Sequence, residues 1–441
     1  MTRAQSGEST NGARGAGPWS GEDAERWLLD LELFGMRFGL DRMRRLLTVL
    51  GCPQERFASV HVVGSNGKSS TTRLLAAVLR AEGLRAGAYL SPHLVSFPER
   101  IRVQDADATP GELAAALHRA RRATEKVDRS LQPGDRVTQF EALTAAALDE
   151  LARREVEVAV VEAGLGGRYD ATNVLDSRVT VLTTVGLEHT RWLGPTIRDV
   201  AREKLAVLRP GSHLVVGADL HPEALDEAWA AAEGAAATFT VAPREPQAPQ
   251  PLELAAPGAF QRGNLATALA AAEAFLGRPP RPEAVREAAG GTHVPGRFEV
   301  VEGDGDDPTV ILDGAHNPGG TAALAGSLPP FLTSRGAQHV TLLISVLEDK
   351  DAAAMLQDLL PFCVAVVATQ ASNPRALPAA TLASLTAQLD GPPAHVVREP
   401  HAALATAKAL AGPGRTVLAT GSLYLLADLK RPPGAPAGAT L

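Results

Sequence analysis

The sequence predicts an α/β fold in two parts: an N-terminal domain on a mostly parallel sheet, and a smaller C-terminal Rossmann-like α/β domain. Three observations carry that expectation. Runs such as Val60–Val63 and Val156–Val161 alternate with helix-period segments, as strands buried on both faces of a parallel sheet do. A glycine-rich turn, Gly64 to Ser70, joins the first of those runs to a helix. After Gly290-Gly291-Thr292-His293-Val294-Pro295-Gly296 the strand–helix alternation starts again.

In order along the chain, residues 1–20 are small, polar and Gly-rich and read as a disordered leader. From Gly21 to Gly51, Leu and Met recur every three or four residues, a helical period. A strand at 60–63 leads through the glycine turn into a helix over 71–83 that Gly83 closes. Residues 86–93 read as a strand running into Ser91-Pro92-His93, 141–155 as a helix, and 156–167 as a buried strand and its glycine loop. Strand 179–186, helix 195–208 and strand 213–219 follow, then a Pro-rich irregular stretch over 241–263 and a helix over 264–275. The second series runs through strands at 309–318, 339–346, 363–370, 394–399 and 415–422, with a closing helix at 423–431. The expected domains are thus 21–292 and 297–430, with a frayed tail at 431–441.

Composition narrows the function classes. At 441 residues, 45% hydrophobic and 21% charged, the chain has ample material for packed cores. A net charge of -7 argues against a sequence-independent grip on nucleic acid. Cys52 and Cys363 are too few and too far apart for a disulfide scaffold or a cysteine metal site. There is no uncharged apolar run near the ~18 residues a membrane span needs, and the leader lacks a secretory core. A cytoplasmic protein is expected, and a monomer, since no coiled-coil heptads occur.

The turn Gly64-Ser65-Asn66-Gly67-Lys68-Ser69-Ser70 stands where a strand meets a helix N-terminus, the arrangement that binds phosphate. Glycines let backbone N–H groups approach phosphate oxygens. Lys68 can reach the terminal phosphates, and Ser69 stands where a hydroxyl meets Mg²⁺. The strict G-x-x-x-x-G-K-[ST] pattern fails only at its first glycine, where Val62 stands. Ser65, Asn66, Gly67, Lys68 and Ser69 are the expected nucleotide contacts.

The order in which further segments follow that loop is more specific. HVVGSNGKSS, AYLSPHLVSFPERIRV, TQFEALTAAALDELA, VEAGLGGRYDATN, VGLEHTRWLGPTI with AREK, VPGRFE, LDGAHNP and TGSLYL succeed one another over residues 25–430. The series resembles the folylpolyglutamate synthase / dihydrofolate synthase family, among the Mur-ligase-like ATP-dependent amide ligases. The resemblance implies ATP on the N-terminal domain and L-glutamate supplied largely from the C-terminal one. The implied reaction phosphorylates a carboxylate of dihydropteroate or a reduced folate and lets the glutamate amine displace the phosphate.

By the same resemblance, Ser91, Glu162 and His189 match metal-binding positions, with two Mg²⁺ sites expected. Lys204 matches a lysine that can be carbamylated, although Leu205-Ala206-Val207 replaces the family's usual Ala-Gly-Ile after it. Asn264, Arg297 and Asp313 match nucleotide contacts. Thr138, Gln139, Phe140 and Glu141 resemble the pterin-side segment, and Asp170, Ala171 and Thr172 a second substrate-facing stretch. His316 and Asn317 sit at a strand's carboxyl end, where they can meet glutamate or the acyl phosphate. Arg375 and Ser422 are candidates for glutamate's carboxylates. Lys68, Lys204 and His316 are the expected catalytic groups.

Two other readings compete. A peptidoglycan-precursor ligase carries an extra N-terminal domain, for which the 59 residues before Val60 are too few. A phosphate-loop switch that ligates nothing has no need of a second α/β domain joined at an arginine-bearing linker.

Overall fold

Strands made of Val, Ala, Leu and Ile, buried on both faces, fix the architecture. The structure is a computed structural model and describes residues 19–31, 39–247 and 251–433. The expected leader up to residue 18 and the tail from 434 lie outside the described residues.

The first sheet contains β1 (Ala58–Val63), β2 (Ala86–Tyr89), β3 (Ile101–Val103), β4 (Ala106–Asp107) and β5 (Val158–Glu162). It continues with β6 (Val179–Leu182), β7 (His213–Val216) and β8 (Thr238–Val241). Its order is β4-β3-β2-β5-β1-β6-β7-β8, parallel from β2 to β8, with β3 and β4 antiparallel at one edge. Alternation along each strand divides the core. Val60, Val62, Val158 and Val160 face the helices Lys68–Ala81, Ala259–Leu276 and Pro282–Gly291. Ala159 and Val161 face the helices Gly21–Leu29, Asp41–Val49, Pro110–Asp128 and Gln139–Arg153.

The second sheet contains β9 (Glu299–Val301), β10 (Thr309–Leu312), β11 (Val340–Ile344), β12 (Cys363–Ala368), β13 (Ala394–Val396) and β14 (Thr416–Thr420). Its order is β13-β12-β11-β14-β10-β9, with only β9 antiparallel. Ile311, Leu342, Ile344 and Leu418 pack under the helices Pro318–Ser334, Ala352–Leu359 and Ala379–Gln388. Val310, Leu343 and Val417 face the helices Pro400–Ala411 and Leu423–Lys430. The expected two-domain α/β fold is therefore the one observed.

Several elements differ from the sequence reading. The helical period over 21–51 is two helices, Gly21–Leu29 and Asp41–Val49, and residues 32–38 between them lie outside the described residues. The helix expected from residue 264 starts at Ala259, inside the stretch read as irregular. Helix Pro110–Asp128 had a readable start: Thr109 and Glu112 form a capping box around Pro110. The short strands β3, β4, β8 and β9 are two to four residues long, too short for a periodic signal.

Candidate active site

In both domains the candidate residues stand at the carboxyl ends of parallel strands, where open α/β sheets place their sites. Gly64–Gly67 follows β1, Ser91 follows β2, Glu162 ends β5, and Glu188 and His189 lie beyond β6. In the second domain Asp313–Asn317 follows β10, Lys350 and Arg375 lie beyond β11 and β12, and Ser422 follows β14.

The glycine loop is sewn to the strand beside it. Asn66 N–H donates to Thr184 Oγ1 at 2.9 Å, Gly186 N–H donates to Ser65 Oγ at 3.0 Å, and Thr183 Oγ1 donates to the Asn66 carbonyl at 2.7 Å. Gly67 has φ of 84°, and a Cβ there would stand 2.6 Å from Asn264 Oδ1. The loop thus needs glycine for its backbone and for close packing by the predicted contact Asn264. Lys68 Nζ folds back on its own loop, donating to the carbonyls of Gly64 at 2.9 Å and Ser65 at 3.1 Å.

Glu162 is 1% exposed. Ser69 Oγ donates to its Oε1 at 2.9 Å, and Ser91 N–H donates to its Oε2 at 3.1 Å. Burial raises its pKa, and Lys68 pulls the other way. A buried carboxylate beside hydroxyls is a hard oxygen set of the kind Mg²⁺ takes when phosphate oxygens complete its shell. Glu162 and the Ser69 hydroxyl therefore fit the expected magnesium, with Ser91 adjoining them through its backbone N–H. No group of three or more His, Cys, Asp or Glu able to hold a metal ion occurs among the described residues. His189 is exposed, with φ of 47°, at the start of the short helix Thr190–Leu193.

Lys204 is buried, its Nζ donating to the Gly64 carbonyl at 2.9 Å and to Glu188 Oε1 at 2.8 Å. Burial opposes the Glu188 charge, but Lys204 and Lys68 overcome it and hold the carboxyl at about 2. The ammonium thus braces the loop carbonyl that Lys68 also grips. Sequence reasoning missed Glu188, although it directly precedes His189 in LEHT.

The two domains meet at this point. Asn66 and Asn317 exchange side-chain hydrogen bonds of 3.2 and 3.1 Å, tying the loop to the second domain. Asn317 also caps helix Pro318–Ser334 through Gly320 N–H. Asn317→Ala should lower stability by about 1 kcal/mol through the lost cap. It should also speed proteolytic cleavage of the 292–296 linker as the domains part, and unchanged cleavage would contradict that role. Asp313 accepts from Phe298 N–H at 2.7 Å and Ala315 N–H at 2.8 Å, so its carboxylate fastens the linker to the end of β10. Arg297 donates to the Gly296 carbonyl and crosses over Gly314, where a Cβ would come within 2.6 Å of its Nη1.

His316 Nδ1–H donates to the Gly314 carbonyl at 2.8 Å, which leaves Nε2 as an acceptor. Burial, with Lys350 and Arg297 nearby, lowers its pKa to about 4. Burial likewise lowers His61 to about 3 and His93 to about 2. These folded values lie below the unfolded value of ~6.5, so acid favours the unfolded chain. Each histidine should subtract about 2 kcal/mol as pH falls from 6.5 to 5.0. The thermal midpoint at pH 5.0 should fall below that at pH 7.5, and equal midpoints would contradict neutral burial of these rings.

Other predicted residues hold structure. Thr138 and Glu141 form a capping box at helix Gln139–Arg153. Arg42 Nε donates to both Glu141 oxygens at 3.1 Å, so that carboxylate is engaged internally. Gln139 Nε2 donates to the Leu28 carbonyl. The Phe140 ring lies against Gly164, where a Cβ would meet it at 2.5 Å. Asp170 is buried, accepting from Thr172 N–H and Oγ1 and from Leu165 N–H, while Thr172 also meets His61 Nε2 at 2.8 Å. Ala171 is buried between them. Ser422 Oγ accepts from Tyr424 N–H at a helix start. Arg375 Nη1 lies 3.7 Å from Asp349, which also pairs with Lys350 at 3.0 Å. The Asp349–Lys350 pair was not read from the sequence.

Comparison with known proteins agrees with the two-domain fold. Residues 296–423 match the Mur ligase, glutamate ligase domain. A Bacillus subtilis dihydrofolate synthase/folylpolyglutamate synthase is 31% identical, the match covering 93% of this chain and 98% of that protein. A probable bifunctional folylpolyglutamate synthase/dihydropteroate synthase from Haloferax volcanii is 34% identical over 92% of this chain, which spans only 50% of its length. The solved Mycobacterium tuberculosis folylpolyglutamate synthase complexed with ADP superposes with a TM-score of 0.85 at 30% identity, covering 94% of this chain and 99% of its own. Among the described residues, no helix is long and apolar enough to cross a membrane. With relatives above 30% identity matched over nearly their whole length, the chain belongs to the folylpolyglutamate synthase / dihydrofolate synthase family.

Proposed function

We propose that the protein is an ATP-dependent ligase that joins L-glutamate to dihydropteroate and to reduced folates through an acyl phosphate. The observation that carries this reading is the meeting of Asn66 and Asn317. It brings a phosphate-binding loop against the His316 turn of a second domain. An acid-activating centre and an amine-receiving centre then share one cleft.

The chemistry asks a carboxylate to attack a polyanion, so charge must be drained from the γ-phosphate. Lys68 does this by leaving its loop carbonyls for the phosphate oxygens, and Arg297 does it from the linker with a planar guanidinium. Magnesium, held by Glu162 and the Ser69 hydroxyl beside Ser91, with the nucleotide's own oxygens, supplies further neutralisation when bound. The acceptor carboxylate oxygen bonds to the γ-phosphorus as the bond to ADP breaks. The glutamate amine then bonds to the acyl carbon, phosphate leaves, and the amine's proton passes to His316 Nε2. With Nδ1–H tied to the Gly314 carbonyl, Nε2 faces the proton as an acceptor, and the low pKa makes the ring a transient carrier that passes the proton on to the departing phosphate. A carbamate on Lys204 would put an anion beside Glu188, so the modification and the second metal belong together. Thr138–Glu141 and Asp170–Thr172 contribute a stiff wall for the acceptor, with Phe140 as its aromatic member. Lys350, Arg375 and the turn at Ser422 are the groups offered to glutamate's carboxylates.

Purified protein given ATP and Mg²⁺ should release phosphate only when glutamate and an acceptor are both present. Dihydropteroate and tetrahydrofolate should each serve. Phosphate release indifferent to glutamate and acceptor would overturn the reading.

A further inference from the structure

A second, small cleft opens on the hinge side of the phosphate loop, with a volume of about 30 Å³. Ser69 and Arg73 of helix Lys68–Ala81 line one side, His93 and Glu99 another, and Val294 and Arg297 of the linker close it. Its polar groups are nearly all donors. His93 is 2% exposed, and its Nδ1 accepts from Arg100 Nε at 2.9 Å, which fixes the proton on Nε2. That buried Nε2–H has no hydrogen-bond partner. Among the described residues Arg73 makes no hydrogen bond or ion pair; burial lowers its pKa to about 10, against the more distant charges of Asp107, Glu99 and Asp105. Among the described residues Arg297 donates only to its neighbour's carbonyl at Gly296. The one acid in the wall, Glu99, is already satisfied by the N–H groups of Leu94, Val95 and Ser96.

A buried donor without an acceptor is costly, and His93 Nε2–H beside a half-buried guanidinium calls for an acceptor from outside. We propose that the cleft at Arg73 and His93 is a binding site for a small oxyanion, inorganic phosphate, separate from the phosphates of the loop-bound nucleotide. Its chemistry is that of a free tetrahedral oxyanion. The Arg73 guanidinium supplies charge, the His93 imidazole N–H supplies direction, and no bond is made or broken. Ser69 and Arg297 line this cleft as well as the candidate active site, so it also offers phosphate released there a first place to rest.

The test is equilibrium dialysis of the full chain against radiolabelled inorganic phosphate, with AMP-PNP and Mg²⁺ saturating the glycine loop. AMP-PNP retention is measured in the same cells, so failure of the nucleotide reading shows as unretained AMP-PNP and is distinct from failure of this one. The wild-type protein should retain one phosphate per chain on top of the nucleotide. Arg73→Met should weaken that phosphate roughly tenfold to hundredfold, the loss of a charged hydrogen bond. Arg73→Lys, which keeps the charge, should lose less. Circular dichroism and retained AMP-PNP confirm that each variant is folded. Absence of the extra phosphate from the wild type, or equal retention by Arg73→Met, would overturn the proposal.

Discussion

Lys68→Ala lowers ligation roughly thousandfold with every acceptor, the expected cost of removing a preorganised cation from a transferring phosphate. The Lys68 side chain bonds the Gly64 and Ser65 carbonyls, and Lys204 keeps a donor on the Gly64 carbonyl when Lys68 is gone. The thermal midpoint should therefore stay within a degree or two of wild type while turnover collapses. Measuring kcat beside the melting curve separates the two effects. Turnover near the wild-type rate would refute the role given to Lys68.

Glu162→Gln has the second large expected effect, and its sign on stability is opposite to that of an ordinary active-site lesion. Burial already raises the Glu162 pKa, so the charged form is held at a cost that Lys68, the Ser91 and Ser69 hydrogen bonds and Arg297 offset in part. The amide keeps an oxygen for Ser91 N–H or Ser69 Oγ but no longer carries charge for magnesium. Turnover should fall roughly hundredfold, and the Mg²⁺ concentration for half-maximal rate should rise. The melting temperature should hold or increase. An unchanged magnesium titration would count against Glu162 as a ligand.

Much of this was legible in the residues because the signals are local. The Val-rich strands, the glycine turn before a helix, and Glu162 at the end of an apolar run are all written within a dozen consecutive positions. What could not be read was pairing across the chain. Nothing near Lys204 announces that its ammonium will bridge Gly64 and Glu188, and nothing near Asn66 announces Asn317, 251 residues away. Thr138 and Glu141 show the opposite difficulty. Their T-x-x-E spacing is a capping-box signature in its own right, and the structure spends both side chains on that cap and on Arg42. A motif shared with a family can mark the wall that shapes a site as readily as the groups that touch substrate.

The claim beneath these roles is that the acceptor's carboxylate is activated by phosphorylation in the cleft between the two domains. Dihydropteroate labelled with ¹⁸O in its carboxylate tests this most directly, with the released phosphate analysed by mass spectrometry. The account predicts one ¹⁸O atom carried into each phosphate, because the oxygen that attacks phosphorus leaves with it when glutamate's amine arrives. Phosphate carrying no label, alongside full formation of the glutamyl amide, would contradict it.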